Sequence, residues 1–150
     1  MGSNNVATYS FSPSPGRSRI MRAIRSKDTK PELIVRRLLC QLGYKGYRLH
    51  RADLPGRPDI VFVGKRKAIF VHGCFWHGHN CSVGSRKPRV NVAYWNSKIE
   101  RNRIRDKECC IELAKLGWSV LVIWECEMRD LSAVSHILQR FMLSASVQGQ

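Results

Sequence analysis

Eleven residues, Val71 to Cys81, read VHGCFWHGHNC and hold two cysteines, three histidines and the adjacent pair Phe75 and Trp76. Cys74, His79 and Cys81 follow the spacing C-x4-H-x-C, and another thiol, Cys126, lies far downstream just after the apolar run WSVLVIW. Two thiolates, an imidazole and a remote thiolate make a tetrahedral set of the Cys3His kind, which suits Zn2+. Four protein ligands leave no open coordination position, so such a metal is structural. The plainer alternative is a group of buried cysteines beside surface histidines, because free cysteine often behaves as a small core hydrophobe.

His72 and His77 are left without a metal. Neutral imidazole takes a proton from water near neutral pH, and each ring could equally be a hydrogen-bonded structural histidine. Their closeness to the metal-type cluster, with an acidic motif upstream, favours chemistry.

The chain has 150 residues, enough for one domain with a single core. Its 26 Lys and Arg against 11 Asp and Glu give a formal charge of +15, which on so small a body implies a polyanionic partner, nucleic acid first. No apolar run reaches membrane-spanning length and no long basic amphipathic helix is evident, which argues against a membrane-surface protein. The start lacks the charged and apolar regions of a secretory signal, so the six cysteines suit a reducing, cytoplasmic setting, with Cys40, Cys109 and Cys110 as unpaired thiols.

Residues 1–16 are rich in Ser, Asn, Pro and Gly and read as a flexible tail. From Arg17 to Arg51 there are eleven basic residues against Asp28 and Glu32, a density suited to phosphate contacts or to a solvated helix face. Thr29 and Glu32 have capping-box spacing with Pro31 in the first turn, and Leu33, Ile34, Leu38, Leu39 and Leu42 recur at helical intervals, predicting a helix over 30–42. Capping by itself accounts for Glu32.

LPGRPDIVFV places a turn at Pro55-Gly56 and a strand over 59–63. Gly64 and the basic cluster Lys65, Arg66 and Lys67 make a tight connection to a second strand over 68–71, so the two form a hairpin with Asp59 at its entrance. An aspartate leading into a buried strand is a hard-oxygen ligand suited to Mg2+, or else it caps the turn or pairs with Arg57. Residues 94–116 read as a long helix with Trp95, Ile99, Cys109, Leu113 and Leu116 on an apolar stripe and Arg101, Arg103, Arg105 and Lys107 exposed. The run Trp118–Trp124 then reads as a central strand, followed by a final helix over 131–142 and a polar tail over 144–150. The order implies an α/β fold with a mixed sheet flanked by helices.

LPGRPDIVF, FVHGCFWHGHNC and the basic helix running into LGWSVLVIWEC together closely resemble the very-short-patch-repair (Vsr) DNA mismatch endonucleases, over about Arg17 to Arg129. The resemblance implies a restriction-endonuclease-like domain over 17–143 that nicks one strand beside a T:G mismatch, the product of 5-methylcytosine deamination. It implies that Asp59 binds catalytic Mg2+ with the DNA phosphate, that His72 and His77 act around the scissile phosphate, with His77 as the base for water, and that Glu32 belongs to the same site. Cys74, His79, Cys81 and Cys126 match the family's structural Zn2+ ligands. Phe75 and Trp76 match its intercalating wedge, joined from the other groove by Met21. From the residues alone, Met21 reads as a core residue and Phe75-Trp76 equally as a core patch or a wedge.

Two departures stand out. Many restriction-like nucleases carry E-x-K on the second strand, where this chain has Phe70-Val71-His72, as the Vsr family itself does. Val71 stands where the best-known Vsr pattern has threonine; a main-chain carbonyl to Mg2+ survives that change, whereas a hydroxyl role does not. The expected partner is double-stranded DNA with a T:G mismatch, in company with mismatch-repair proteins and a DNA cytosine-5 methyltransferase. A monomer is expected because a mismatch has no two-fold symmetry. The rival readings are a zinc-stabilised DNA-binding module without catalysis and a restriction-type nuclease acting on matched duplex.

Overall fold

A computed structural model describes residues 27–146. Their elements are α1 (Lys30–Gln41), β1 (Arg48–Leu49), β2 (Ile60–Phe62), β3 (Lys67–His72), α2 (Val92–Lys115), β4 (Ser119–Trp124), a 3-10 helix (Glu125–Arg129) and α3 (Leu131–Leu143). The expected helices and hairpin are all present. Met21 lies outside the described residues.

The sheet has the order β1-β2-β3-β4. β1 pairs with β2, and β2 with β3, antiparallel, while β3 and β4 run parallel with His72 opposite Trp124. A parallel neighbour needs a long crossover, here the cysteine and histidine loop followed by α2. Alternation along the strands sorts the side chains. Ile60, Phe62, Ile69 and Val71 pack with Val35 and Leu39 of α1 and Val134 and Leu138 of α3. Ala68 and Phe70 pack on the other face with Leu113 of α2, so the period of two also sends His72 towards α2.

Three expectations are corrected. The capping box does not form: the Thr29 side chain makes no cap hydrogen bond, and Glu32, only 2% exposed, is turned inward. A carboxylate buried to that degree needs charged partners, and the Thr29 N–H that a capping box would offer it is not one. The inward stripe of α1 carries Val35 with Leu38 and Leu39, whereas Leu33 remains 46% exposed. β4 forms an outer strand of the sheet described, not a central one. Its apolar run packs Val120 and Val122 on the α2 face and Leu121 and Ile123 on the opposite face, so a strand covered on both sides reads as continuously apolar wherever it stands.

Lys67, the last of the basic cluster before the second strand, opens β3 and is 2% exposed. Its Nζ donates to the Phe141 carbonyl at 2.6 Å, the Ser144 carbonyl at 2.8 Å and Ser144 Oγ at 2.9 Å, which satisfies the last carbonyls of α3. Ser146 Oγ donates to the Lys65 carbonyl at 2.9 Å, so the chain after α3 is fastened to the β2–β3 turn. Lys67→Ala leaves these acceptors unpaired and is expected to cost about 2–3 kcal/mol, read as a lower urea midpoint at unchanged slope.

Candidate functional site

Asp59 sits at the mouth of the β2–β3 hairpin, where its Oδ2 accepts the Val71 N–H at 2.7 Å. The paired register Ile60–Ile69 and Val61–Ala68 puts Asp59 on the α2 side, the side of His72. Burial first, helped by the nearby Glu32 carboxylate and opposed by the Val71 N–H and His50, leaves its carboxyl raised to about 6. A carboxylate that is costly to ionise, with one oxygen held by the backbone, suits a bound cation. The Val71 side chain packs into the core with Ile69, while its main-chain N–H meets Asp59, and the residue lines the cleft.

His72 and His77 stack with ring centroids 3.9 Å apart and planes 2° from parallel. Nδ1 of His77 meets Asp106 Oδ2 of α2 at 2.5 Å. With Asp106 ionised, that nitrogen carries the proton and Nε2 keeps the lone pair, the arrangement of a base and its orienting acid. His72 is 7% exposed, and burial, with the His77 ring beside it, depresses its pKa to about 4. It is therefore neutral across the physiological range. Protonation of His72 favours the unfolded chain, so this contribution to stability is full above pH 6.5 and is lost as pH falls towards 4. Its Nδ1 is buried without a hydrogen-bond partner among the described residues, which favours the tautomer with the proton on Nε2.

Three donors converge on a single oxygen of Glu32. Oε2 accepts from the Asp28 N–H at 3.1 Å, Arg36 Nη2 at 3.2 Å and His50 Nε2 at 3.0 Å. Glu32, His50, Asp59, Val71, His72, His77 and Asp106 all line one cleft of about 760 Å³, with Lys27, Lys98 and Arg105 among the walls.

Cys74, His79, Cys81 and Cys126 bring their ligand atoms within 4.8 Å of one another. Cys126 Sγ is 3.5 Å from His79 Nδ1, close to the tetrahedron edge of about 3.5–3.8 Å that metal–sulfur and metal–nitrogen bonds of ordinary length produce. Backbone N–H groups of Cys126 and Gly84 point to Cys74 and Cys81 Sγ at 3.4 and 3.3 Å, as they do around thiolates. The Gly84 N–H pulls the Cys81 thiol down to about 6, while burial pushes Cys74 up. Gly84 has no room for a side chain: a Cβ there would lie 1.9 Å from the His79 carbonyl oxygen. Trp124 stacks on His79 at 4.2 Å and meets His72 edge-on at 5.2 Å, so one indole joins the thiol cluster to the histidine pair.

Two further groups carry enough ligands for a metal, and chemistry argues against both. A metal bound by imidazole lies in the ring plane, and parallel rings such as His72 and His77 cannot share one. At Asp28, Glu32 and His50 the Arg36 guanidinium already bridges both carboxylates, at 2.6 Å and 3.2 Å.

Phe75 and Trp76 are half-buried and packed edge to face, 5.2 Å apart at 84°. Trp95 at the start of α2 contacts both rings at 5.9 and 5.5 Å, and the Trp76 carbonyl accepts from Asn102 Nδ2 at 2.8 Å. Lys98 Nζ lies 5.7 Å from the Trp76 ring and 5.6 Å from that of Trp95.

A family model described as DNA mismatch endonuclease Vsr matches residues 10–83. The type II nicking enzyme V.XorIIP of Xanthomonas oryzae pv. oryzae is 51% identical over 130 residues, covering 86% of this chain and 94% of its own length. The chain belongs to the Vsr family. Type II nicking enzyme V.NmeAIP of Neisseria meningitidis, another similar protein, is 40% identical over 126 residues, covering 84% of this chain and 89% of its own. The DNA mismatch endonuclease Vsr of Escherichia coli K12 is 43% identical over 113 residues, 75% of this chain and 71% of its own.

In this Vsr-family chain the fold gathers Asp59, Val71, His72, His77 and Glu32 at one cleft and Cys74, His79, Cys81 and Cys126 at one point. Sequence reasoning missed His50, Arg36 and Asp106. Asp106 had a signal: it interrupts the basic series Arg101, Arg103, Arg105 and Lys107, one turn from Asn102 and Cys110. His50 had none, since it follows a two-residue strand in a polar stretch. Among the described residues no helix is long and apolar enough to cross a membrane.

Proposed function

We propose that this protein is a Mg2+-dependent DNA endonuclease that nicks one strand of a duplex at a T:G mismatch left by 5-methylcytosine deamination, and so initiates very short patch repair. The observation that carries this reading is the hairpin mouth, where Asp59 on the Val71 N–H shares a cleft with stacked His72 and His77, the latter oriented by Asp106. We read the mixed sheet as restriction-endonuclease-like and the catalytic unit as residues 17–143, acting as a monomer.

Asp59 and the Val71 carbonyl would hold Mg2+, which when bound supplies polarisation of the phosphate and charge stabilisation for the leaving oxygen. His77 Nε2 accepts the proton of the attacking water, and Asp106 stabilises the imidazolium that results. Neutral His72 donates from Nε2 to a phosphate oxygen as charge develops there. Glu32 completes the acidic wall of the cleft. Cys74, His79, Cys81 and Cys126 hold a structural Zn2+ that stiffens the loop bearing Phe75 and Trp76, which enter the base stack together with Met21. A mismatched step costs less to unstack than a paired one, which supports the substrate assignment.

Strand-specific nicking of end-labelled duplexes, T:G against matched C:G, with and without Mg2+, tests the reading. Nicking of the T strand of the mismatch is expected, with binding that weakens steeply as salt rises. Equal cleavage of matched duplex would replace it with a restriction-type activity. Asp106→Asn is expected to slow nicking roughly 10²-fold or more with DNA affinity retained, because His77 loses the partner that sets its tautomer.

A further inference from the structure

We infer that His50 is a positioning residue of the nicking reaction, which holds the Glu32 carboxylate and the Asp59 main chain in register through two hydrogen bonds; this rests on the nuclease reading above. Its ring Nε2 is 3.0 Å from Glu32 Oε2, and its backbone N–H donates to the Asp59 carbonyl at 3.2 Å. The two acidic residues come from different parts of the chain, one on α1 and the other just ahead of β2. Among the described residues, His50 hydrogen-bonds to both.

The backbone around it bears the mark of a constrained site. His50 has φ +47, a left-handed conformation that a non-glycine residue adopts only when its surroundings hold it there. Asp28, with φ +54, is in the same state, and its N–H also donates to Glu32 Oε2. Two such residues directing donors at one buried carboxylate oxygen indicate that the orientation of Glu32 is enforced from both sides. Its helix neighbour Arg36 supplies the third donor to the same oxygen at 3.2 Å. With these three donors all on Oε2, Glu32 keeps Oε1 for the cleft, where its carboxyl lies beside that of Asp59. Pre-oriented groups of this kind act on rate and leave substrate affinity alone, because they fix a reacting geometry that binding does not need.

The test compares His50→Gln, whose side-chain amide can reach Glu32 as Nε2 does, with His50→Asn, which is one methylene shorter. The assay is single-turnover nicking of a T:G duplex at saturating protein, with DNA Kd and Tm measured in parallel. The expected result is a rate within about threefold of wild type for His50→Gln and a loss of about 30-fold for His50→Asn, Kd of both being unchanged within about twofold. Either of two results overturns the inference with the nuclease reading intact: His50→Asn at the wild-type rate, or the two variants slowed equally. A wild-type protein that nicks no duplex overturns both.

Discussion

Asp59→Ala is expected to lower single-turnover nicking by about 10³-fold or more while DNA binding persists. The carboxylate is fixed by the Val71 N–H at the hairpin mouth, and a metal-polarised phosphate is worth several kcal/mol, each 1.36 kcal/mol being tenfold in rate. The loss should not arise from unfolding. Burial and the neighbouring Glu32 hold the Asp59 carboxyl at about 6, above its unfolded value, so its stabilising contribution is present below about pH 4 and is lost as pH rises through 6. Asp59→Asn, which cannot ionise and can still accept the Val71 N–H, is therefore expected to gain on the wild type across that window. The gain should reach on the order of 2 kcal/mol at pH 7–8 without added Mg2+, and vanish below pH 4. Urea unfolding of both proteins at pH 4 and pH 7.5 checks it. An inactive variant as stable as the wild type or more so separates chemistry from folding.

Removal of the Cys126 thiol is expected to have the largest effect on stability. Cys126 comes from the 3-10 helix after β4 and the other three ligands from the loop after β3, so a metal held by all four clamps the two ends of the parallel β3–β4 pair together. In small structural sites the binding free energy is folding free energy, of order 10 kcal/mol. Cys126→Ala should therefore lose bound Zn2+, counted by elemental analysis of the purified protein, and melt at least about 15 °C lower or without cooperativity. Cys110→Ala, a half-buried thiol of α2 outside the set, should retain one zinc per chain and shift Tm by only a few degrees. Equal zinc content in both variants would remove the metal assignment.

The helices, the hairpin and the crossover were legible because their signals are local. Pro31 and the apolar period mark α1, Gly64 marks the turn, and the run before Cys126 can hardly be anything but a strand. The gathering of Cys74, His79, Cys81 and Cys126 was also legible, since three of them lie within eight residues and the fourth follows a strand that runs parallel beside them. Val71 shows where residue identity and position part company. Its side chain packs in the apolar core, while the group that serves Asp59 is its main-chain N–H, which any residue but proline would supply.

What the sequence determined by itself is therefore the set of elements, the charge, the thiol cluster and the acid at the hairpin entrance, each written in spacings of a few residues. Tertiary structure alone decided the roles of Glu32, His50, Asp106 and Lys67. Glu32 has capping-box spacing yet is buried against Arg36 and His50, and Lys67 directly follows a basic turn yet caps a helix 74 residues away. Asp106 meets His77 across 29 residues. Each of these depends on how a polar group is desolvated when distant segments close over it. A buried charge must then find its partner wherever packing has placed one, which no local pattern encodes.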